Sequence, residues 1–125
     1  MGTEAIKPVV LVVDDNPSIL KSVNFFLREK YTVSTLPEPK KIEELLTKIT
    51  PDLFILDCNM PDLNGFDLVP IIRNLPEHKD TPIIFLTGED TNENFSEAIQ
   101  LGASAFLTKP IDENLLREKA AEYLE

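Results

Sequence analysis

The chain has 125 residues, with 12 Lys plus Arg against 22 Asp plus Glu, which gives a formal net charge of −10. Its length suits one domain, predicted over residues 1–125 with a core at about 8–124. The negative charge argues against nucleic acid or an anionic membrane as a direct partner, because phosphate contacts need a basic face. One cysteine and one histidine exclude a disulfide framework and a multi-His zinc site.

The chain contains no signal for a membrane or for secretion. Its apolar runs fall short of the ~18 uninterrupted residues that indicate a transmembrane helix. Residues 1–7 lack the apolar segment typical of a secretory signal. We therefore expect a cytoplasmic protein.

Strand-like and helix-like segments alternate five times along the chain. Residues 9–13 form a mostly β-branched apolar run, which predicts a strand buried on both faces. Asn16 and Pro17 then predict the start of a helix. A mixed, more exposed strand at residues 31–36 precedes a helix with an apolar stripe over 42–49.

The middle of the chain repeats this pattern. Residues 53–56 predict a second buried strand, and Cys58 after it is interpreted as a small buried residue. A short helix follows, and Pro70 is tolerated in it only if the helix begins near Phe66 or Asp67. His78 lies in a polar loop, where we expect it to be solvated.

The last third supplies two more strands and two more helices. Residues 83–86 predict a third buried strand. Asp90 and Glu93 resemble a capping box for a helix over 95–101, which Gly102 closes. A short strand at 105–107 leads to a final helix that Asp112 can cap.

This alternation predicts an α/β fold with a parallel sheet covered by helices on both faces. The two mixed strands, second and fifth, suit the sheet edges, so we predict the strand order 2-1-3-4-5. The fold class is therefore a doubly wound, flavodoxin-like (βα)5 sandwich of three layers. In such sheets the ligand site lies beyond the carboxyl ends of the strands, where the strand order reverses.

Polar side chains follow the carboxyl ends of four predicted strands. They are Asp14, Asp15, Asp57, Thr87 and Lys109. Singly, each is better explained as a cap, turn or surface residue, but their joint placement at one rim indicates a site. Three clustered carboxylates repel one another, and a hard divalent cation, Mg²⁺ or alternatively Mn²⁺, would relieve that repulsion. A metal and a lysine flanking one carboxylate make a phosphoryl-transfer site.

These residues and their surrounding motifs resemble the receiver domain of two-component response regulators. The matching segments are Asp14-Asp15, Asp57-x-x-Met60-Pro61-x-x-x-Gly65, Thr87-Gly88 and Gly102-Ala103-x-x-Phe106-Leu107-x-Lys109-Pro110. The resemblance covers residues 8 to about 124. It implies phosphorelay signal transduction, with a sensor histidine kinase or a histidine phosphotransfer domain as the phosphoryl donor.

The resemblance also implies a role for each site residue. Asp57 would be the phospho-acceptor. Asp15 and Asp57 would bind Mg²⁺ directly, with the backbone carbonyl of Asn59 as the third protein ligand. Asp14 would act mainly through a bound water. Lys109 would pair with Asp57 and then with a phosphoryl oxygen.

Further roles follow from the same resemblance. The Thr87 hydroxyl would move onto the phosphoryl group, and Phe106, which stands where relatives often have Tyr, would move into the vacated space. The peptide bond before Pro110 is expected to be cis, since cis costs little only before proline. Asn59 and Glu89 are predicted to modulate the lifetime of the aspartyl phosphate.

Three functions compete on the sequence alone. In the first, phosphorylation switches a protein-binding face formed by helix 4, strand 5 and helix 5, and the protein catalyses only the formation and hydrolysis of its own aspartyl phosphate. In the second, it is an aspartate-nucleophile phosphatase or phosphotransferase, but the acid this needs two residues after the nucleophile is replaced by Asn59. In the third, it is a degenerate receiver that binds protein constitutively. We expect a monomer when unphosphorylated, and the sequence does not indicate the output domain or target.

Overall fold

Five parallel strands form one sheet at the centre of the molecule, which we describe from a computed structural model. The structure describes residues 6–88 and 92–125, the side chains of 92–95 excepted. The strands are β1 Val9–Val13, β2 Thr32–Leu36, β3 Leu53–Asp57, β4 Ile83–Thr87 and β5 Ala105–Thr108. The α-helices are α1 Pro17–Leu27, α2 Ile42–Leu45, α3 Gly65–Arg73, α4 Asn92–Gln100 and α5 Glu113–Leu124.

The strand order is β2-β1-β3-β4-β5, which confirms the predicted doubly wound fold. The register brings the carboxyl ends of the strands together. Val13 is level with Leu56 and Asp57 is level with Leu86. Residues that follow these ends therefore meet at one rim, as the topology requires.

The core lies on both faces of the sheet because alternate strand residues point to opposite sides. Leu11, Phe54 and Phe85 pack on one face, with side chains of α2, α3 and α4. Val12 and Ile55 pack on the other face, with side chains of α1 and α5. The residues of β3 and β4 are all buried, as their continuous apolar runs predict. Both faces of the sheet are thus covered, and its carboxyl edge carries the polar groups.

The second helix is shorter than its apolar stripe predicts. α2 ends at Leu45, although Ile49 still packs against the core. The Thr47 hydroxyl donates to the Glu44 carbonyl oxygen at 2.6 Å, and the Thr47 N–H donates to the same carbonyl at 3.2 Å. Such local bonds compete with the helical pattern, so the chain continues in tighter turns.

Helix α3 begins at Gly65, one residue before Phe66 and two before Asp67, near which its start was expected. Asn64 and Asp67 form a capping box that fixes this start. Pro70 therefore lies inside the helix rather than in its first turn, and it removes the bond that a backbone N–H would donate to the Phe66 carbonyl.

The prediction that His78 is solvated is wrong. Its side chain is buried, with residue exposure of 1%. Its Nδ1 lies 2.8 Å from the Thr81 hydroxyl, and its ring meets Phe54 edge-on at a centroid distance of 5.0 Å. A short 3₁₀ turn, Pro76–His78, precedes β4, and the His78 ring at its end packs against Phe54 of β3. Among the described residues, no helix is long and apolar enough to cross a membrane.

Candidate functional site

The carboxyl ends of the strands position the predicted site residues. Asp14 directly follows β1, Asp57 is the last residue of β3, and Thr87 is the last residue of β4. Lys109 directly follows β5, and its backbone N–H donates to the Thr87 carbonyl at 2.7 Å. The site residues thus take their positions from the ends of the strands.

Three carboxylates converge at this rim. One oxygen atom from each of Asp14, Asp15 and Asp57 lies within 4.8 Å of the other two. Asp14 and Asp57 are buried, with residue exposures of 0% and 2%, whereas Asp15 is exposed. The cluster is therefore open to solvent on the side of Asp15.

Lys109 places a positive charge between the two buried acids. Its Nζ lies 3.0 Å from Asp14 Oδ2 and 3.4 Å from Asp57 Oδ1. The predicted pairing with Asp57 is present, but Asp14 is the nearer partner. The Lys109–Pro110 peptide bond is cis.

Backbone groups orient both buried carboxylates. The Asn16 N–H donates to Asp14 Oδ1 at 2.9 Å, and the Asn59 N–H donates to Asp57 Oδ1 at 3.2 Å. The same Asn16 caps α1, where its side chain accepts from the Ser18 N–H. Each acid therefore has one oxygen tied to the loop that follows its strand.

Burial raises the pKa of Asp57 from 3.8 to about 6, and repulsion from Asp14 adds to the rise. The Asn59 N–H and the Lys109 ammonium act in the opposite direction. Burial disfavours the charged form of Lys109, yet its ion pairs with Asp14 and Asp57 raise its pKa overall. At neutral pH, Asp57 is thus ionised and faces a cation.

Cys58 lies next to Asp57, and its thiol is buried and uncharged. It is buried, as predicted. Burial and the neighbouring Asp57 charge raise the pKa of its thiol to about 12, so it carries no charge at neutral pH.

The donor set fits a hard divalent cation. All three side chains offer carboxylate oxygens, which suit Mg²⁺, and the exposed side leaves room for the waters that Mg²⁺ retains. For Asn59, the structure shows the contact between its N–H and Asp57. The role of the Asn59 backbone carbonyl as a metal ligand stays a prediction.

The two predicted switch residues lie on neighbouring strands. Thr87 is fully buried at the end of β4. Phe106 on β5 is level with Phe85 on β4, is half-buried, and packs against the cluster shared by α2, α3 and α4. Glu89, the predicted modulator, and Asp90 of the predicted capping box lie outside the described residues.

Sequence reasoning missed the close approach of α3 to the end of β3. A Cβ atom at Gly65 would lie 2.4 Å from the Asp57 carbonyl oxygen. Gly65 belongs to the matching motif, but the motif alone assigns it no contact. The capping box of Asn64 and Asp67 was detectable, since Asn-x-x-Asp before an apolar run is a helix-start pattern.

The fold and this site define a doubly wound, flavodoxin-like protein with an acidic cluster and a lysine at its switch point. Residues 10–121 match the family described as response regulator receiver domain. The chemotaxis protein CheY4 of Vibrio cholerae has a similar structure, with a TM-score of 0.88 at 33% identity, covering 94% of this chain and 99% of that one.

Two curated relatives align with most of this chain. An uncharacterized 14.6 kDa protein of Leptolyngbya boryana is 35% identical over 104 residues, 82% of this chain and 79% of its own length. Response regulator protein PilR of Pseudomonas aeruginosa is 36% identical over 115 residues, 91% of this chain but 25% of its own length. The chain therefore belongs to the response regulator receiver domain family, whose members act in two-component signalling.

Proposed function

We propose that Asp57 accepts a phosphoryl group from the phosphohistidine of a sensor histidine kinase or a histidine phosphotransfer domain, in a Mg²⁺-dependent reaction. The observation that carries the proposal is the convergence of three carboxylates within 4.8 Å around a lysine ammonium. This arrangement provides a nucleophile, a metal-binding set and a second cation at one place. Membership of the receiver family supports the same donor chemistry.

In the proposed reaction an Asp57 carboxylate oxygen attacks phosphorus. The P–O bond forms as the P–N bond breaks, and the electron pair leaves on the imidazole nitrogen of the donor. Lys109, already 3.4 Å from Asp57, neutralises charge on the phosphoryl oxygens. Asp15, Asp57 and the Asn59 carbonyl would hold Mg²⁺, with Asp14 acting through water, and the metal would supply further positive charge there.

Phosphorylation is proposed to switch a protein-binding face formed by α4, β5 and α5. Thr87 and Phe106 connect the site to this face, because Thr87 ends β4 and Phe106 lies on the adjacent strand β5. Ile99 on α4 and Leu115 on α5 are exposed apolar residues on the two helices that flank β5 in the chain. They are candidates for contact with a partner. The unphosphorylated protein is proposed to be a monomer.

Catalysis is proposed to stop at the formation and hydrolysis of the protein's own aspartyl phosphate. A phosphatase acting on other phosphate esters needs a second acid to protonate the leaving group. Asn59, two residues after the acceptor, cannot supply that proton. The proposed output of the protein is therefore binding to a partner protein, rather than catalytic turnover of a phosphate ester.

The test is intact mass after incubation with a small acyl-phosphate donor, with and without Mg²⁺. The parent is expected to gain one phosphoryl group only when Mg²⁺ is present, and Asp57→Asn is expected to gain none. Asp80→Asn, an exposed acid near the opposite end of β4, is the matched control and should behave as the parent.

Failure with the small donor and with a phosphorylated kinase would contradict the proposal. The chain would then be better explained as a constitutive protein-binding module. Turnover of phosphate monoesters would instead contradict the limit placed on its catalysis.

A further inference from the structure

Gly65 is the first residue of α3 and touches the backbone of the acceptor. A Cβ atom at this position would lie 2.4 Å from the Asp57 carbonyl oxygen, 3.1 Å from its carbonyl carbon and 3.2 Å from Leu56 Cβ. The two backbone distances leave no room for a side chain, because ordinary Cβ contacts begin near 3.4 Å. The Gly65 backbone is not in the left-handed region, unlike that of Gly102 with φ at +77°. Glycine is therefore needed here for space and not for conformation.

We propose that Gly65 is a positioning residue for the phospho-acceptor. Its missing side chain lets the first turn of α3 rest directly on the Asp57 backbone, which fixes the Asp57 carboxylate relative to Lys109 and the neighbouring acids. The inference rests on the proposed function, since phosphoryl transfer to Asp57 is the reaction being positioned.

The helix side of this contact is held in place. The Asn64 side chain accepts from the Asp67 N–H at 3.0 Å, and the Asp67 carboxylate accepts from the Asn64 N–H at 3.1 Å. Phe66, the next residue, packs against Phe85 of β4 with a centroid distance of 4.8 Å. The first turn of α3 therefore has little freedom to retreat from the sheet.

The strand side is held as well. Asp57 is level with Leu86 in the sheet, and the Cys58 N–H donates to the Leu86 carbonyl at 2.8 Å. An added methyl group must then displace one side or the other by roughly 1 Å, the gap between 2.4 Å and an ordinary contact. We expect the strand end to share that displacement because the helix is capped and packed.

A displacement of this size is large for the acceptor. The Asn59 N–H lies 3.2 Å from Asp57 Oδ1, already at the long end of hydrogen bonding, so a small shift breaks the bond. A misplacement of about 1 Å can slow a positioned reaction by about 10²-fold. Gly65 thus affects the reaction without contacting the phosphoryl group.

The experiment compares the parent with Gly65→Ala. The initial rate of phosphoryl uptake is measured with saturating small acyl-phosphate donor and Mg²⁺, and expressed per folded molecule after urea denaturation has given the folded fraction. The Asn59 amide resonance is followed by ¹H–¹⁵N NMR in the same samples without donor. We expect uptake to fall at least about 10-fold and the Asn59 resonance to move.

Gly102→Ala is the matched control. It introduces the same methyl group and is destabilised by its left-handed backbone, but a Cβ there meets no heavy atom within 4 Å. It should keep the parent's uptake rate per folded molecule and the parent's Asn59 resonance. A merely structural role for Gly65 would make its variant behave in the same way.

Normal uptake together with an unmoved Asn59 resonance in Gly65→Ala would overturn the inference. If Gly65→Ala does not fold, Asn64→Ala replaces it, because it frees the first turn of α3 without adding a clash. That variant must then show slower uptake and a moved Asn59 resonance. If the parent itself takes up no phosphoryl group, the proposed function fails, and the Asn59 resonance alone decides whether Gly65 sets the acceptor geometry.

Discussion

The ammonium of Lys109 lies nearer to Asp14 than to Asp57, at 3.0 Å from Asp14 Oδ2 and 3.4 Å from Asp57 Oδ1. Both acids are buried, so without this cation two carboxylates would face each other in a poorly solvated place. Lys109 therefore stabilises the folded arrangement of Asp14 and Asp57, in addition to its proposed contact with a phosphoryl oxygen.

Replacing Lys109 by methionine should destabilise the fold by about 3 kcal/mol at pH 7, the low end for removing one partner of a buried ion pair, because the Lys109 side chain is 20% exposed. Removing one partner of a buried ion pair leaves an uncompensated charge, and proton uptake by a carboxyl limits the loss. Mg²⁺ should restore part of this stability, because the proposed metal site uses the same carboxylates and exists only in the folded state. Urea denaturation with and without Mg²⁺ measures both effects.

Lys48→Met is the control for that experiment. Lys48 and Glu44 form an exposed ion pair at 4.0 Å, and such pairs contribute little to stability. Equal losses in the two variants would contradict the structural role of Lys109.

Asp57→Asn should increase the stability of the metal-free protein near neutral pH. The pKa of Asp57 rises from 3.8 to about 6 on folding, so between these values the folded state binds more protons than the unfolded state. The stabilisation that Asp57 contributes is fully present below pH 4. Roughly 3 kcal/mol of it is lost as the pH rises through 6. The free energy of unfolding of the variant relative to the parent should therefore grow between pH 4 and pH 7. A pH-independent difference, measured by urea denaturation in chelator, would show that burial does not raise this pKa.

His78 should make stability depend on pH in the opposite direction. Burial lowers its pKa below 6.5, with Arg73 acting in the same sense and Glu77 and Asp52 opposing. The unfolded state therefore takes up the proton first, and stability present above pH 6.5 is lost as pH falls below it. In His78→Asn, which keeps a polar partner for Thr81, the midpoint of urea denaturation should lose this dependence between pH 7 and pH 5. An unchanged dependence in the variant would assign the effect to other groups.

Gly102→Ala should destabilise the protein by about 1 kcal/mol through backbone strain alone. Gly102 follows α4 with φ at +77°, a conformation that costs a residue with a Cβ roughly that amount. Gly88→Ala offers a comparison, since a Cβ there has open space and no such φ, and it should change stability little. Thermal unfolding of the two variants measures the difference, and similar losses would point to a cause other than φ.

The sequence by itself determined the fold and the rim of the site. Apolar runs such as residues 53–56 and 83–86 are typical of strands buried between two helix layers, and the less buried strands 2 and 5 suit the edges of the sheet. Since parallel strands end at the same edge, residues that follow those runs had to meet there. This is why Asp14, Asp57 and Lys109 could be predicted to lie together from their positions in the chain.

The tertiary structure decided the contacts that depend on packing between distant segments. In the folded protein, Asp14 is the nearer partner of Lys109. His78 is buried against Phe54, and Gly65 packs directly on the Asp57 backbone. Local patterns do not predict these outcomes, because each depends on how segments far apart in the chain pack against one another at close to crystal density. Sequence periodicity fixes which face of an element is buried, whereas the packing of the whole molecule fixes which atoms then touch.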